Sequence, residues 1–174
     1  MLKSFDGKVP RIAESAFLSE TACIIGDVEI GENSSVWPGA VIRGDLGKIR
    51  IGNGCSIEDN CVVHSGSPGL PSGDVYIGDR VIVGHGAVVN CRQIGSHVLI
   101  GMNSSVLHEA EIGDCCIIAA GCVVGQGMKV PDYSFVAGVP GAIKGKATEE
   151  QLWWTREGPQ DYISLAKRYK EQGL

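Results

Sequence analysis

Residues 94–130 read IGSHVLIGMNSSVLHEAEIGDCCIIAAGCVVGQGMKV, and an aliphatic side chain falls on every sixth position: Ile94, Ile100, Val106, Ile112, Ile118, Val124 and Val130. A period of six is neither the 3.6 of a helix nor the simple alternation of a half-buried strand. Hexapeptide self-similarity instead marks a β-solenoid, in which each repeat supplies one short strand and one turn. Working outward, the frame holds upstream at Ile12, Leu18, Ile24, Ile30, Val36 and Ile42. It resumes at Ile51, Ile57 and Val63, then at Ile77, Val83 and Val89, and ends at Val136. Four positions after most of these stands a second small or aliphatic residue, among them Ala22, Ser34, Ala40, Cys55, Cys61, Ala87, Ser104 and Cys122. Glycine often follows the aliphatic directly, as at Gly31, Gly52, Gly78, Gly95 and Gly113. The predicted fold is an all-β solenoid over residues 1–145, its aliphatics stacked from coil to coil at the ~4.8 Å spacing of paired strands.

The beat stops near Ala142, and a helical tail over residues 146–174 is predicted. Thr148 and Gln151 have the spacing of a capping box, and Gly158-Pro159 breaks or restarts the helix. Tyr162, Leu165, Ala166 and Tyr169 form an apolar stripe at helical spacing. It is expected to pack on the solenoid or on a neighbouring subunit.

Composition agrees with a narrow prism. The 174 residues include 25 glycines and only 6% aromatics, which suits an interior that admits branched and small side chains but few rings. A net charge of −5 without a basic cluster argues against a nucleic-acid partner. No apolar run reaches the length of a membrane span, and the start MLKSFDGKVPRIAES lacks a signal-peptide core, so a cytoplasmic protein is expected. Of seven cysteines, Cys55, Cys61, Cys116 and Cys122 occupy the small buried column, where a free thiol packs as a small hydrophobe. There is no CxxC pair.

Insertions in a solenoid become loops on one side. Three extra residues fall between Ile42 and Ile51, around Gly44-Asp45-Leu46-Gly47, and eight fall between Val63 and Ile77, in SGSPGLPSG at 65–73. One residue is missing between Val89 and Ile94. Leu70, in the longer insertion, is expected to be exposed or to touch a neighbour, whereas Val83 and Ile100 are expected to be fully buried.

The histidines take their places on this frame. His64 follows Val63 and Asn90 follows Val89. With three hexads to a coil of about eighteen residues, the eight-residue insertion brings His64 and Asn90 to the same face, one coil apart. His85, two residues after Val83, projects near an edge from a different face, and can meet that pair only across an interface between prisms. The placement suggests a homotrimer with sites at subunit boundaries. His97 and His108 fall in turn columns and are expected to be solvated. Cys91, next to Asn90, points elsewhere in this frame.

At this point the chain resembles the γ-class carbonic anhydrases and their hexapeptide-repeat relatives, over roughly residues 5–145. The resemblance rests on IGDV at 25–28, VWPGAVIRGD at 36–45, Asp59 with Val63-His64, IGD at 77–79, VGH at 83–85, Ile100-Gly101-Met102 and Val106-Leu107. The closing Val130-Pro131-Asp132 and AGVP at 137–140 are shared with hexapeptide acyltransferases. The resemblance implies a left-handed β-helix, a homotrimer, and a zinc or iron(II) ion bound by three histidines from two subunits. Two of those positions match His64 and His85; the third falls on Asn90. The family positions Arg43 and Asp45 imply a pair across the interface that orders the site, with Asp59 nearby. Glu58 stands where the family has glutamine, and a carboxylate there can accept a proton, ligate, or hydrogen-bond bound water.

Three imidazoles leave an open metal position and lower the pKa of bound water to about 7, and the hydroxide attacks carbon dioxide to give bicarbonate. An amide oxygen is a poor zinc ligand beside imidazole. Weak or partial metal occupancy and impaired hydration are therefore expected. Two other classes stay open: a non-catalytic trimer that binds an anion or a partner, and an acyltransferase using coenzyme A with His64 as base. On spacing alone, His64 and His85 also fit interface histidines with satisfied hydrogen bonds, and Glu58 a group that neutralises Arg43.

Overall fold

The computed structural model describes residues 1–66 and 73–174, so the expectation for Leu70 lies outside the described residues. The chain winds as a left-handed parallel β-helix with a helical tail. One aliphatic of each hexad points inward, and these stack in three columns, one for each face of a triangular prism. The first face stacks Ile24, Ile42, Val63, Val89, Val106 and Val124. The second stacks Ile12, Ile30, Ile51, Ile77, Ile94, Ile112 and Val130. The third stacks Leu18, Val36, Ile57, Val83, Ile100, Ile118 and Val136. Val83 and Ile100 are fully buried, as expected, and the cysteines of the small column lie in the same core. Burying each such valine or isoleucine contributes about 1.5–3 kcal/mol before entropy is counted.

The corner between the second and third faces explains the glycine after the aliphatic. A Cβ on Gly52 would stand 2.6 Å from the Gly78 carbonyl oxygen of the next coil, too close for any side chain. Beside this column runs a ladder of side-chain caps: Asp79 accepts from the Asn53 amide N–H at 2.7 Å, Asp114 from Ser96 at 2.7 Å and Asp132 from Asp114 at 2.9 Å. Each cap satisfies a backbone donor that the turn leaves outside the strand ladders.

Three features differ from the sequence reading. The three-residue insertion before Ile51 does not form a loop: a continuous strand runs Val41–Ile51 beside a strand Cys23–Ile30, and together they join the first and second faces. The extra length is absorbed by a register shift between Gly26 and Val28, and Ile49 is buried as completely as the framed aliphatics. Past Val136, the strand Ala142–Lys146 turns back antiparallel on Ser134–Ala137 and covers the last edge of the third face. His97 is half-buried, and its Nδ1 lies 3.4 Å from the Thr155 carbonyl of the tail.

The tail forms α1 (Glu149–Arg156) and α2 (Gly158–Glu171), with the Thr148–Gln151 capping box present and Pro159 in the first turn of α2. The apolar stripe of α2 lies on the third face. Tyr169 meets Phe17 and Trp37 at ring-centroid distances of 5.6 and 5.2 Å, and Ala166 is buried with them. The indole N–H of Trp37 donates to Ser56 Oγ at 2.9 Å, so the ring is anchored at both its apolar and polar ends.

Candidate functional site

Parallel pairing sets the first part of the site. Arg43 pairs with His64 in register at the end of the first face, and the next coil brings Asn90 beside them. Asn90 Nδ2 lies 3.3 Å from His64 Nδ1, and Asp45 Oδ1 lies 2.9 Å from His64 Nε2. A carboxylate only accepts, so the Nε2–H of His64 donates to Asp45, and Nδ1 accepts from the Asn90 amide. Arg43 closes the line with an ion pair to the other oxygen of Asp45. The Arg43–Asp45 pair forms within one chain. Burial works against ionisation of Asp45, but the His64 hydrogen bond and the Arg43 charge outweigh it and hold this carboxyl below the usual carboxylate value.

The second part sits at the other edge of the first face, around His85. Its ring is held on both sides: Nε2 is 3.1 Å from Glu58 and Nδ1 is 2.9 Å from Asp59. Glu58 also accepts from the backbone N–H of His85 at 2.9 Å. The side chain of Glu58 is only 4% exposed. Glu58 therefore serves His85 and not Arg43. From the tail, α2 brings Tyr162 toward this cluster. Burial, and then the Glu58 carboxylate beside it, push the Tyr162 hydroxyl above its ordinary range, so it stays a donor. Sequence reasoning placed Tyr162 in a packing stripe and missed its second neighbour, since only the seating of α2 brings residue 162 to residue 58.

Within one chain, then, His64, Asn90, Asp45 and Arg43 are gathered, His85, Glu58 and Asp59 are gathered, and the two groups are not joined. The donor set does not fit a three-imidazole metal centre. His64 has one nitrogen committed to Asp45 and the other to the Asn90 amide, and each nitrogen of His85 faces a carboxylate. Among the described residues, no three His, Cys, Asp or Glu side chains are grouped as a metal would need. Cys91 cannot replace the missing imidazole: it is buried in the core, and burial pushes its thiol up to about 12.

A family model described as Dynactin subunit 5 matches residues 11–164. A probable carbonic anhydrase of Methanocaldococcus jannaschii is 45% identical over 156 residues, covering 90% of this chain and 96% of that protein. Gamma carbonic anhydrase 2, mitochondrial, of Arabidopsis thaliana is 34% identical over 170 residues, 96% of this chain. The chain spans 60% of the length of that plant relative. Among solved structures, a hexapeptide transferase family protein from Anaplasma phagocytophilum superposes with a TM-score of 0.90 at 36% identity, covering 97% of each chain.

Proposed function

The chain belongs to the γ-carbonic-anhydrase-like family of hexapeptide-repeat proteins, and from that membership we propose that it is a γ-carbonic-anhydrase-like homotrimer whose metal-dependent hydration of carbon dioxide is impaired. One observation carries the reading. At the position stacked on His64 stands an amide, Asn90, and its N–H occupies the imidazole nitrogen that would otherwise be free. Zinc or iron(II) held by the remaining histidines is weak, because an amide is a poor ligand and His85 is engaged by Glu58 and Asp59. Association into a trimer is supported by the outward side of the first face, where Val88 is 40% exposed and Val41, Val62 and Val123 are only half-buried, flanked by Arg43 and His64.

Two measurements test the proposal: the metal content of purified protein, and carbon dioxide hydration by stopped flow. The native chain should hold well under one metal per chain and hydrate slowly, and Asn90→His should raise both zinc affinity and rate. Stoichiometric zinc with fast hydration in the unmodified protein refutes the reading, as does an Asn90→His variant that folds but gains neither.

Acyl transfer from coenzyme A is the competing reading, favoured by the likeness to a putative acetyltransferase from Bacillus cereus, 34% identical with a TM-score of 0.84. The surroundings of His64 do not favour it, because Nε2 donates to Asp45 and Nδ1 accepts from the Asn90 amide, which leaves neither nitrogen free to act as the base.

A further inference from the structure

Between the third face of the prism and the two C-terminal helices lies a cavity of 560 Å³. That volume lies within the roughly 300–1,000 Å³ range of small-molecule sites. Its floor is apolar, formed by Ile82, Leu99, Met102 and Ile117. Its wall and rim carry two aromatic rings, Tyr162 and Trp154. Trp154 is 56% exposed, with Trp153 stacked edge-on at 5.1 Å. Within one chain, packing does not account for a tryptophan left this exposed over an apolar cavity.

Charge in the cavity is one-sided. The carboxylates of Glu58 and Asp161 line it, and Asp59 stands behind on the far side of His85. His85 is the one basic side chain among the described lining residues. An anionic ligand would meet these carboxylates with no guanidinium or ammonium to balance it. A cation with an apolar body meets the reverse: acidic groups for its charge, aromatic faces for a charge spread over alkyl substituents, and an apolar floor for the rest.

We propose that this cavity is a binding site for a small organic cation, an alkylammonium or quaternary ammonium compound with an apolar tail. The head group sits between Trp154, Tyr162 and the carboxylates of Glu58 and Asp161, and the tail lies over Leu99 and Met102. Because Glu58 also holds His85, an occupant would touch the same carboxylate that orients the candidate site. The cavity shares Glu58 and His85 with the candidate site, but binding there needs no metal and no hydration chemistry, so its failure and that of the function proposed above are distinguishable.

The test is a calorimetric titration of the full-length protein in its native oligomer with three probes of equal chain length: hexyltrimethylammonium, 1-hexanol and hexanoate. The ammonium should saturate at one per chain and bind at least about tenfold tighter than the alcohol or the acid, a difference of about 1.4 kcal/mol. Trp154→Ala and Asp161→Asn lie at the surface and leave the prism intact; each should weaken the ammonium several-fold and leave hexanol binding nearly unchanged. Equal binding of ammonium and alcohol would show a merely greasy pocket and overturn the proposal. Tighter hexanoate, ammonium binding indifferent to both substitutions, no binding of any probe, or a neighbouring copy found filling the cavity would overturn it as well.

Discussion

Truncation of Ile100 to alanine probes the stacking that the whole fold depends on. Ile100 is fully buried and sits in the third-face column between Val83 on one coil and Ile118 on the next. The change removes the carbons beyond Cβ, at about 0.8 kcal/mol each, a transfer loss of about 2.4 kcal/mol. Neighbouring coils cannot close the gap, because backbone hydrogen bonds on both sides fix their spacing, so a cavity term brings the total to about 3–4 kcal/mol. For a domain of this size each kcal/mol lowers Tm by about 2–4 °C, giving a fall of about 6–16 °C. Thermal unfolding followed by circular dichroism, at one fixed protomer concentration, measures it. Leu46→Ala, at a side chain 52% exposed, is the control and should shift Tm by no more than about 2 °C. A loss at Ile100 below about 1 kcal/mol, or equal effects from the two changes, would refute the reasoning that inward columns carry the stability.

Other consequences can be checked with simple measurements. Gly52→Ala drives a methyl to 2.6 Å from a backbone carbonyl and should cost about 1–3 kcal/mol, whereas Gly125→Ala, with open space around its Cβ, should change stability by less than about 0.5 kcal/mol. The folded-state carboxyl of Asp45 lies below its ordinary value of 3.8, so its contribution is present above that pH and is lost as pH falls through the folded value. Denaturant titrations of Asp45→Asn against the native chain should therefore differ most near neutrality and converge in acid; a difference that grows on acidification would contradict this sign. Burial pushes the thiols of Cys55 and Cys91 up to about 12 and that of Cys61 to about 11. At pH 8, a thiol reagent should reach only the half-buried Cys23 and Cys115 quickly in the native protein, with the remainder reacting on unfolding.

The prism was legible because its rule is local and repeated. An aliphatic every sixth residue can bury itself only in a solenoid, and each of Val83, Ile100 and Ile118 restates the same constraint. Where the rule lapses, the sequence gives less guidance: between Ile42 and Ile51 the inserted residues look like a loop, yet unbroken pairing with Cys23–Ile30 keeps them in a strand. The return strand Ala142–Lys146 carried no periodic signal, since it exists to pair a terminal edge.

The stacking of Asn90 on His64 could be read from spacing alone, because parallel register converts sequence distance into position and one coil is one step of the ladder. The partners of those side chains could not. That Asp45 takes His64, that Glu58 and Asp59 hold both nitrogens of His85, and that Tyr162 arrives from the tail depend on rotamers and on how α2 seats against Phe17 and Trp37. By itself, then, the sequence determined the coil and the column of each framed aliphatic, since short-range periodicity leaves one way to bury them. Only the tertiary structure decided which polar groups meet and what cavity the tail encloses, because those contacts join residues up to about a hundred positions apart, over which no period runs.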